Sequence, residues 1–110
     1  MRVALATCAN WPHLPATEQC LLQAFQDLGV QASPVVWNDP TIEWNSFQWC
    51  LIRSLWDYVD HYAQCVQWLN QVSRVSRLLN PLSIIQWNMQ KTYLRDLKDQ
   101  WIPIVPTIWI

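Results

Sequence analysis

The sequence predicts an α/β fold: a small Rossmann-like domain in three layers, with a parallel sheet between helices on both of its faces. Short apolar runs alternate along the chain with segments whose apolar residues recur at helical spacing, which indicates βαβ units. The run at residues 49–52 is continuously apolar, as is typical of a strand buried on both faces of a parallel sheet. The length of 110 residues allows one such domain.

Composition and charge exclude several classes of function. Apolar residues make up 52% of the chain and charged residues 14%, a balance that is too apolar for intrinsic disorder. The formal net charge of -1 gives no attraction for polyanions, so we expect neither a nucleic-acid nor a membrane partner. A single glycine cannot form the glycine-rich loops of dinucleotide-binding or Walker-type sites. No apolar run reaches the roughly 18 residues of a membrane span, and we expect a cytoplasmic protein.

The first half of the chain reads as strand, loop, helix and strand. Residues 2–7 are apolar and β-branched, and the loop at 8–15 that follows them lacks the cleavage site of a signal peptide. Thr17 is positioned to cap a helix, and Gly29 is positioned to end it in a left-handed conformation. A second strand is centred on residues 35–37.

The second half is predicted to hold further strands and helices and to end in an extended segment. Two prolines in that last segment, Pro103 and Pro106, favour a position at the edge of the sheet. The predicted elements are, in order, a strand at 49–52, a loop at 53–58, a helix at 61–77, a short strand at 78–80, a helical turn at 84–87, a helix at 88–100 and the extended segment at 102–110.

The four cysteines form no pattern typical of a metal site. Only His61 and Cys65 are spaced as a pair of ligands on one helix, whereas zinc sites bring their ligands in several close pairs. We therefore expect buried thiols in a reduced protein and no metal ligands. A dyad of Cys8 and His13 is an alternative, but no residue nearby is positioned to orient the imidazole.

Two loops at the predicted carboxyl edge of the sheet are candidates for a ligand site, because ligands of parallel α/β sheets bind there. They are the loops at 8–14 and 53–58. Arg53 follows a strand directly, and its guanidinium offers paired donors to a carboxylate or a phosphate. The alternative is that Arg53 pairs with Asp57 or Asp60 and only fixes the loop.

Lys91 is the first lysine of the chain and stands near the predicted start of a helix. A cation there opposes the helix dipole, so its presence favours a bound anion such as a phosphate. The alternative is a solvated lysine on the helix surface.

The order of several motifs resembles the N-terminal, pre-ATP-grasp region of the ATP-grasp ligases. Within that family, the glutathione synthetase-like and cycloserine-forming cyclo-ligases are the most similar branch. The motifs are Ala6–Pro12, Pro34–Pro40, Ile52–Tyr58, Leu79–Pro81, Trp87-Asn88 with Lys91, Tyr93-Leu94, Leu97 and Pro103–Thr107.

The resemblance implies a domain organisation and roles for four residues. Residues 1–87 would form the pre-ATP-grasp domain, and residues 88–110 would begin a truncated ATP-grasp domain. Full-length relatives use ATP and Mg²⁺ to activate a carboxylate as an acyl phosphate, which an amine then attacks. By this resemblance the substrate-binding residues are Arg53, Ser54 and Asp57, and the nucleotide-binding residue is Lys91.

The same resemblance implies that most of the nucleotide-binding and magnesium-binding lobe lies beyond residue 110. We therefore expect the N-terminal, substrate-side domain of a carboxylate–amine ligase-like protein, incomplete and inactive alone, with no catalytic residue of its own. The alternative is a stand-alone Rossmann-like module for binding or oligomerisation. The apolar segment at 101–110 leads us to expect a homodimer or a missing C-terminal ATP-grasp lobe as the partner.

Overall fold

Four parallel strands form the central sheet of the computed structural model, which describes residues 1–110. The strands lie in the order β2-β1-β3-β4, with one helix layer on each face. The three-layer parallel α/β prediction is confirmed. The strands are β1 (Arg2–Thr7), β2 (Gln31–Val36), β3 (Trp49–Ser54) and β4 (Arg77–Leu79), and the helices are α1 (Gln19–Asp27), α2 (Tyr62–Val75), α3 (Leu82–Met89) and α4 (Tyr93–Asp99).

The central strand β1 separates two apolar clusters, because successive side chains of a strand point to opposite faces. Val3 and Leu5 pack on one face against the apolar side of α1. Ala4 and Ala6 face the other cluster, which contains side chains of α2 such as Trp68. The small alanine side chains leave room on that face for the indoles that fill the larger cluster.

Helix α1 ends where the sequence predicts, at the only glycine. Gly29 has a φ of 69°, and its N–H donates to the carbonyl of Gln26. The N–H of Val30 donates to the carbonyl of Phe25, which completes a Schellman motif. The chain then enters β2, where Pro34 is tolerated because β2 pairs with β1 alone and is an edge strand.

The C-terminal part of the chain differs from the prediction. The predicted helix at 88–100 is interrupted, because α3 already begins at Leu82 and Gln90–Thr92 connect it to α4. Residues 102–110 join no strand of the sheet, so the predicted edge strand is wrong. Pro103 and Pro106 have no N–H to donate to a ladder, and the segment lies against α4 instead, with the Arg95 guanidinium 4.2 Å from the ring centroid of Trp109.

Two boundaries in the second half also shift. Helix α2 ends at Val75 because Ser76 is already extended, and β4 begins at Arg77. The predicted domain boundary between residues 87 and 88 falls inside α3 and stays a prediction. Helix α2 is the longest with 14 residues, and no helix combines the length and the hydropathy that crossing a membrane requires.

Candidate functional site

The carboxyl ends of β1 and β3 form the topological switch point of the sheet. From β1 the chain crosses to β2 on one side, and β3 lies on the other side of β1. Ligands of open α/β sheets bind at such a point. The two loops that the sequence singles out meet here, with the indole rings of Trp11 and Trp56 in an edge-on contact at 6.1 Å between centroids.

A cavity of about 330 Å³ opens beside this point, between the loop that follows β3 and the helices α2 and α3. Its lining is mostly apolar, with Trp56 and Ile85 among the side chains. Three polar side chains contribute to it: Arg53, Asn80 and Asn88. A mostly apolar cavity with a few polar groups is the usual form of a small-molecule site.

Arg53 is the charged side chain of this cavity, and Glu18 holds it in place. The Arg53 Nε–H donates to a carboxylate oxygen of Glu18 at 3.3 Å, and the Arg53 side chain is 42% exposed. The ion pairs with Asp57 or Asp60 that the sequence suggested do not form. Because Glu18 engages Nε, the terminal nitrogens of the guanidinium remain free to bind an anion.

Ser54 is the last residue of β3 and is fully buried. Its Oγ has no hydrogen-bond partner, and its Cα pairs in register with Thr7 of β1. The pairing of β3 with β1 shifts between Ile52 and Ser54, so Arg53 is the extra residue of a bulge in β3. Ser54 is not among the lining residues of the cavity.

Asp57 contacts the core on the α2 side. Its carboxylate accepts a hydrogen bond from the indole N–H of Trp37 at 2.9 Å. Burial raises the pKa of the Cys65 thiol to about 11, and the charge of Asp57 adds to this increase. Of the three predicted substrate-binding residues, only Arg53 lines the cavity.

Lys91 lies in the connection between α3 and α4, outside the cavity lining. Its ammonium group is 5.5 Å from the ring centroid of Tyr93. The ring of Tyr93 packs against Trp87 at 5.2 Å, and the indole N–H of Trp87 donates to Asp96 at 2.6 Å. These contacts hold the segment around Lys91 on the outer surface of the α3–α4 pair.

The sequence did not identify several contributors to the cavity and its surroundings. Glu18 lies 35 residues from Arg53 in the chain, and no sequence pattern relates the two. Asn80 and Asn88 are brought to the cavity by the position of α3, which is fixed in part by the hydrogen bond from the Tyr58 hydroxyl to the carbonyl of Met89. The only sequence signal was the presence of Asn80 and Asn88 in the family motifs.

Comparison with known proteins identifies the family. The family model for the N-terminal domain of D-cycloserine synthetase DcsG matches residues 3–80. The chain belongs to this family. The matched range includes β1–β4 and Arg53, whereas Lys91 lies beyond it. The resemblance to the cycloserine-forming branch of the ATP-grasp ligases is thereby confirmed.

Two comparisons with DcsG, one of sequence and one of structure, show how much of a longer protein the chain represents. The cycloserine biosynthesis protein DcsG of Streptomyces lavendulae is 33% identical over 87 residues, which are 79% of this chain and 29% of that protein. The crystal structure of D-cycloserine synthetase DcsG superposes with a TM-score of 0.89 at 30% identity, over 96% of this chain and 36% of that one. The chain therefore spans about a third of the length of the relatives it matches.

Metal-ligating side chains are not clustered in this member of the DcsG family. Mg²⁺ is bound by oxygen ligands, commonly one or two carboxylates together with water and substrate phosphates. No group of three or more His, Cys, Asp or Glu side chains in the structure could hold a metal ion.

Proposed function

We propose that this chain is the substrate-side N-terminal part of an ATP-grasp carboxylate–amine ligase-like protein, and that it does not catalyse ligation alone. The observation that carries the proposal is the cavity at the carboxyl end of β3, in which Arg53 is the only charged side chain. A guanidinium at the edge of an apolar cavity is suited to a carboxylate ligand. Membership of the DcsG family supports the ligase assignment.

The lining of the cavity defines the ligand we propose for it. The carboxylate binds the terminal nitrogens of Arg53, while the side-chain amides of Asn80 and Asn88 bind the ammonium and hydroxyl groups of the ligand. The apolar lining, which includes Trp56, covers the hydrocarbon part of the ligand. The volume of about 330 Å³ suits a small molecule. The D-cycloserine in the name of the relative is also a small molecule.

We assign the direct substrate contact to Arg53 and a supporting part to Ser54 and Asp57. Asp57 fixes the loop after β3 through its hydrogen bond with Trp37. Ser54 is the fully buried last residue of β3 and directly follows Arg53. Both residues therefore determine where Arg53 and Trp56 lie.

The substrate assignment is tested by titrating D-serine into the chain and into the variant Arg53→Met, with calorimetry. D-serine is a small α-amino acid with a free carboxylate. It has the D configuration, like the D-cycloserine in the relative's name. We expect Arg53→Met to abolish the binding, because no other cation lines the cavity. The matched control is Arg74→Met on the exposed side of α2, which should bind like the unchanged chain. Equal binding by the two variants would refute the role of Arg53.

For the nucleotide we propose a partial contact through Lys91, with ATP and Mg²⁺ held mainly by parts of a longer protein. Support comes from the surface position of Lys91 and its fixed setting beside Tyr93. Titration of Mg²⁺·ATP should give weak binding that Lys91→Ala removes and Lys98→Ala keeps. Lys98 is the only other lysine and is exposed on α4, so it controls for charge alone. Binding that is the same in both variants would exclude Lys91 as the contact.

A second candidate function is an oligomerisation module, which the exposed apolar C-terminal segment favours. Trp101 is 94% exposed and Ile108 is 89% exposed, and such a surface is usual for an interface between proteins. We propose a homodimer formed through this segment, or its coverage by a C-terminal ATP-grasp lobe. Size-exclusion chromatography with light scattering should show a dimer. A monodisperse monomer would refute the proposed homodimer.

We also propose a cytoplasmic location. All four cysteines are free thiols, and Cys8, Cys50 and Cys65 are buried. Thiols persist in reducing compartments. Oxidation of the purified chain should therefore link molecules only through the exposed Cys20.

A further inference from the structure

A second groove lies between α2 and the loop that follows β2. Its volume is about 280 Å³, and it shares no lining residue with the cavity at Arg53. We call it the amide groove, because most of its polar lining consists of side-chain amides. Its polar residues are Asn38, Asp39, Gln64, Gln67 and Gln71.

Three glutamines form one wall of the amide groove. Positions 64, 67 and 71 are three and four residues apart, so the side chains share one face of α2. All three are exposed, and none of their amides makes a hydrogen bond within the chain. Each of these amides can donate two hydrogen bonds and accept others. With Asn38 on the opposite side, the groove presents four amides to an occupant.

Indole rings form the apolar part of the groove. Trp68 lies in edge-on contact with Trp37 at 5.6 Å and with Trp44 at 5.2 Å between ring centroids. Trp68 is only 6% exposed, and its Nε1 is buried without a hydrogen-bond partner. A buried N–H without an acceptor is uncommon and costly. The ring of Trp68 contributes to the lining of the groove, beside Trp37 and Trp44.

The charge of the groove narrows the choice of ligand. Asp39 is its only charged residue, and no lysine or arginine lines it. Hydrogen bonds from the hydroxyl and the backbone N–H of Thr41 to Asp39 Oδ1 keep the pKa of this carboxyl below its usual value. An anionic ligand is repelled by this carboxylate, and an apolar ligand would remove water from four amides without replacing their hydrogen bonds.

We propose that the amide groove binds a small uncharged molecule that carries several hydroxyl or amide groups. Both kinds of group donate and accept hydrogen bonds, as the side-chain amides of the groove do. The volume of about 280 Å³ is just below the range of about 300–1,000 Å³ that is usual for drug-sized ligands, so it suits one sugar ring or a short amide compound. This site is independent of the carboxylate site at Arg53.

The test is a titration of the ¹⁵N-labelled chain followed by NMR, with three probes. D-glucose supplies hydroxyl groups, N-acetylglycinamide supplies uncharged amides, and inorganic phosphate is the anionic comparison. We expect one of the two uncharged probes to shift the side-chain amide signals of Gln64, Gln67 and Gln71 and the indole N–H of Trp68 in a saturable manner. Probe concentrations up to roughly 10 mM detect dissociation constants in the millimolar range. Phosphate should leave these signals unchanged.

Gln67→Leu is the variant that tests the groove, and Gln26→Leu is its matched control. Both glutamines are exposed on helices, but Gln26 lies on α1, outside the groove. We expect Gln67→Leu to weaken binding roughly two- to tenfold, which corresponds to one hydrogen bond of ordinary strength. Gln71→Leu serves as a second groove variant if Gln67→Leu does not fold. The proposal is overturned if neither uncharged probe gives saturable shifts, or if the groove variant and the control bind equally.

Discussion

Thr7 and Ser54 are two fully buried hydroxyl residues that lie in register across β1 and β3. The Thr7 hydroxyl donates to the carbonyl of Trp11 at 2.8 Å, whereas the Ser54 hydroxyl has no partner. Thr7→Val should therefore lower the free energy of unfolding by about 1 kcal/mol, the typical value of one hydrogen bond. Ser54→Ala should leave it unchanged or raise it, because an unsatisfied buried hydroxyl is removed. Urea unfolding of both variants measures the contrast, and an equal loss in both would contradict it.

Cys50 determines part of the pH dependence of stability. Burial raises the pKa of its thiol from 9.0 to about 12. The unfolded chain then loses this proton at lower pH than the folded chain does, so the contribution is intact below pH 9 and is lost as the pH rises towards about 12. The free energy of unfolding should fall over this range of pH. It should fall less steeply for Cys50→Ala than for the control Cys20→Ala, which removes an exposed thiol. Parallel curves for the two variants would contradict this.

Arg53, Ser54 and Asp57 show which features of single residues could be predicted from the sequence. Arg53 could be singled out as a residue of the carboxyl edge of the sheet because it follows the apolar run of a predicted strand directly, and the structure places it in the lining of the cavity. Ser54 and Asp57 could not be told apart from it, because the length of β3 was underestimated. The strand extends to Ser54, and its pairing with β1 shifts between Ile52 and Ser54, an irregularity that the sequence pattern does not indicate.

At the scale of elements, Gly29 was predictable because a helix end imposes a local backbone requirement. Its φ of 69° is unfavourable for residues that carry a Cβ, although an added Cβ would meet no atom within 4 Å. Gly29→Ala should therefore lower the free energy of unfolding by about 1–2 kcal/mol through the backbone alone. Gln26→Ala in the preceding turn of α1 is the control and should leave stability nearly unchanged. Urea unfolding measures both, and a loss under a few tenths of a kcal/mol for Gly29→Ala would contradict the left-handed conformation.

The elements after β4 were the least predictable. Apolar spacing is similar along the whole stretch from 82 to 100, so the interruption at Gln90–Thr92 leaves no strong local pattern. The position of residues 102–110 depends on contacts with α4, such as the one between Arg95 and Trp109. Contacts of this kind are set by tertiary packing, which periodicity does not report.

At the scale of the whole molecule, the cavity exists because separate parts of the chain meet at the carboxyl edge of the sheet. Arg53 comes from the end of β3, Glu18 from the turn before α1, and Asn88 from α3. The parallel topology that brings the first two loops together was predictable from the alternation of strands and helices. The position of α3 over the cavity was not, since it depends on packing against the cluster on the α2 side.

We propose that a carboxylate ligand binds in this cavity through Arg53, and a map of NMR shifts on adding D-serine to the ¹⁵N-labelled chain tests this binding. We predict saturable shifts of the side-chain amides of Asn80 and Asn88 and of the indole N–H of Trp56, all of which line the cavity. The amide of Gln67 should stay unchanged, and Arg53→Met should remove the shifts. If the signals of the cavity residues do not shift, or if they still shift in Arg53→Met, D-serine does not bind through Arg53.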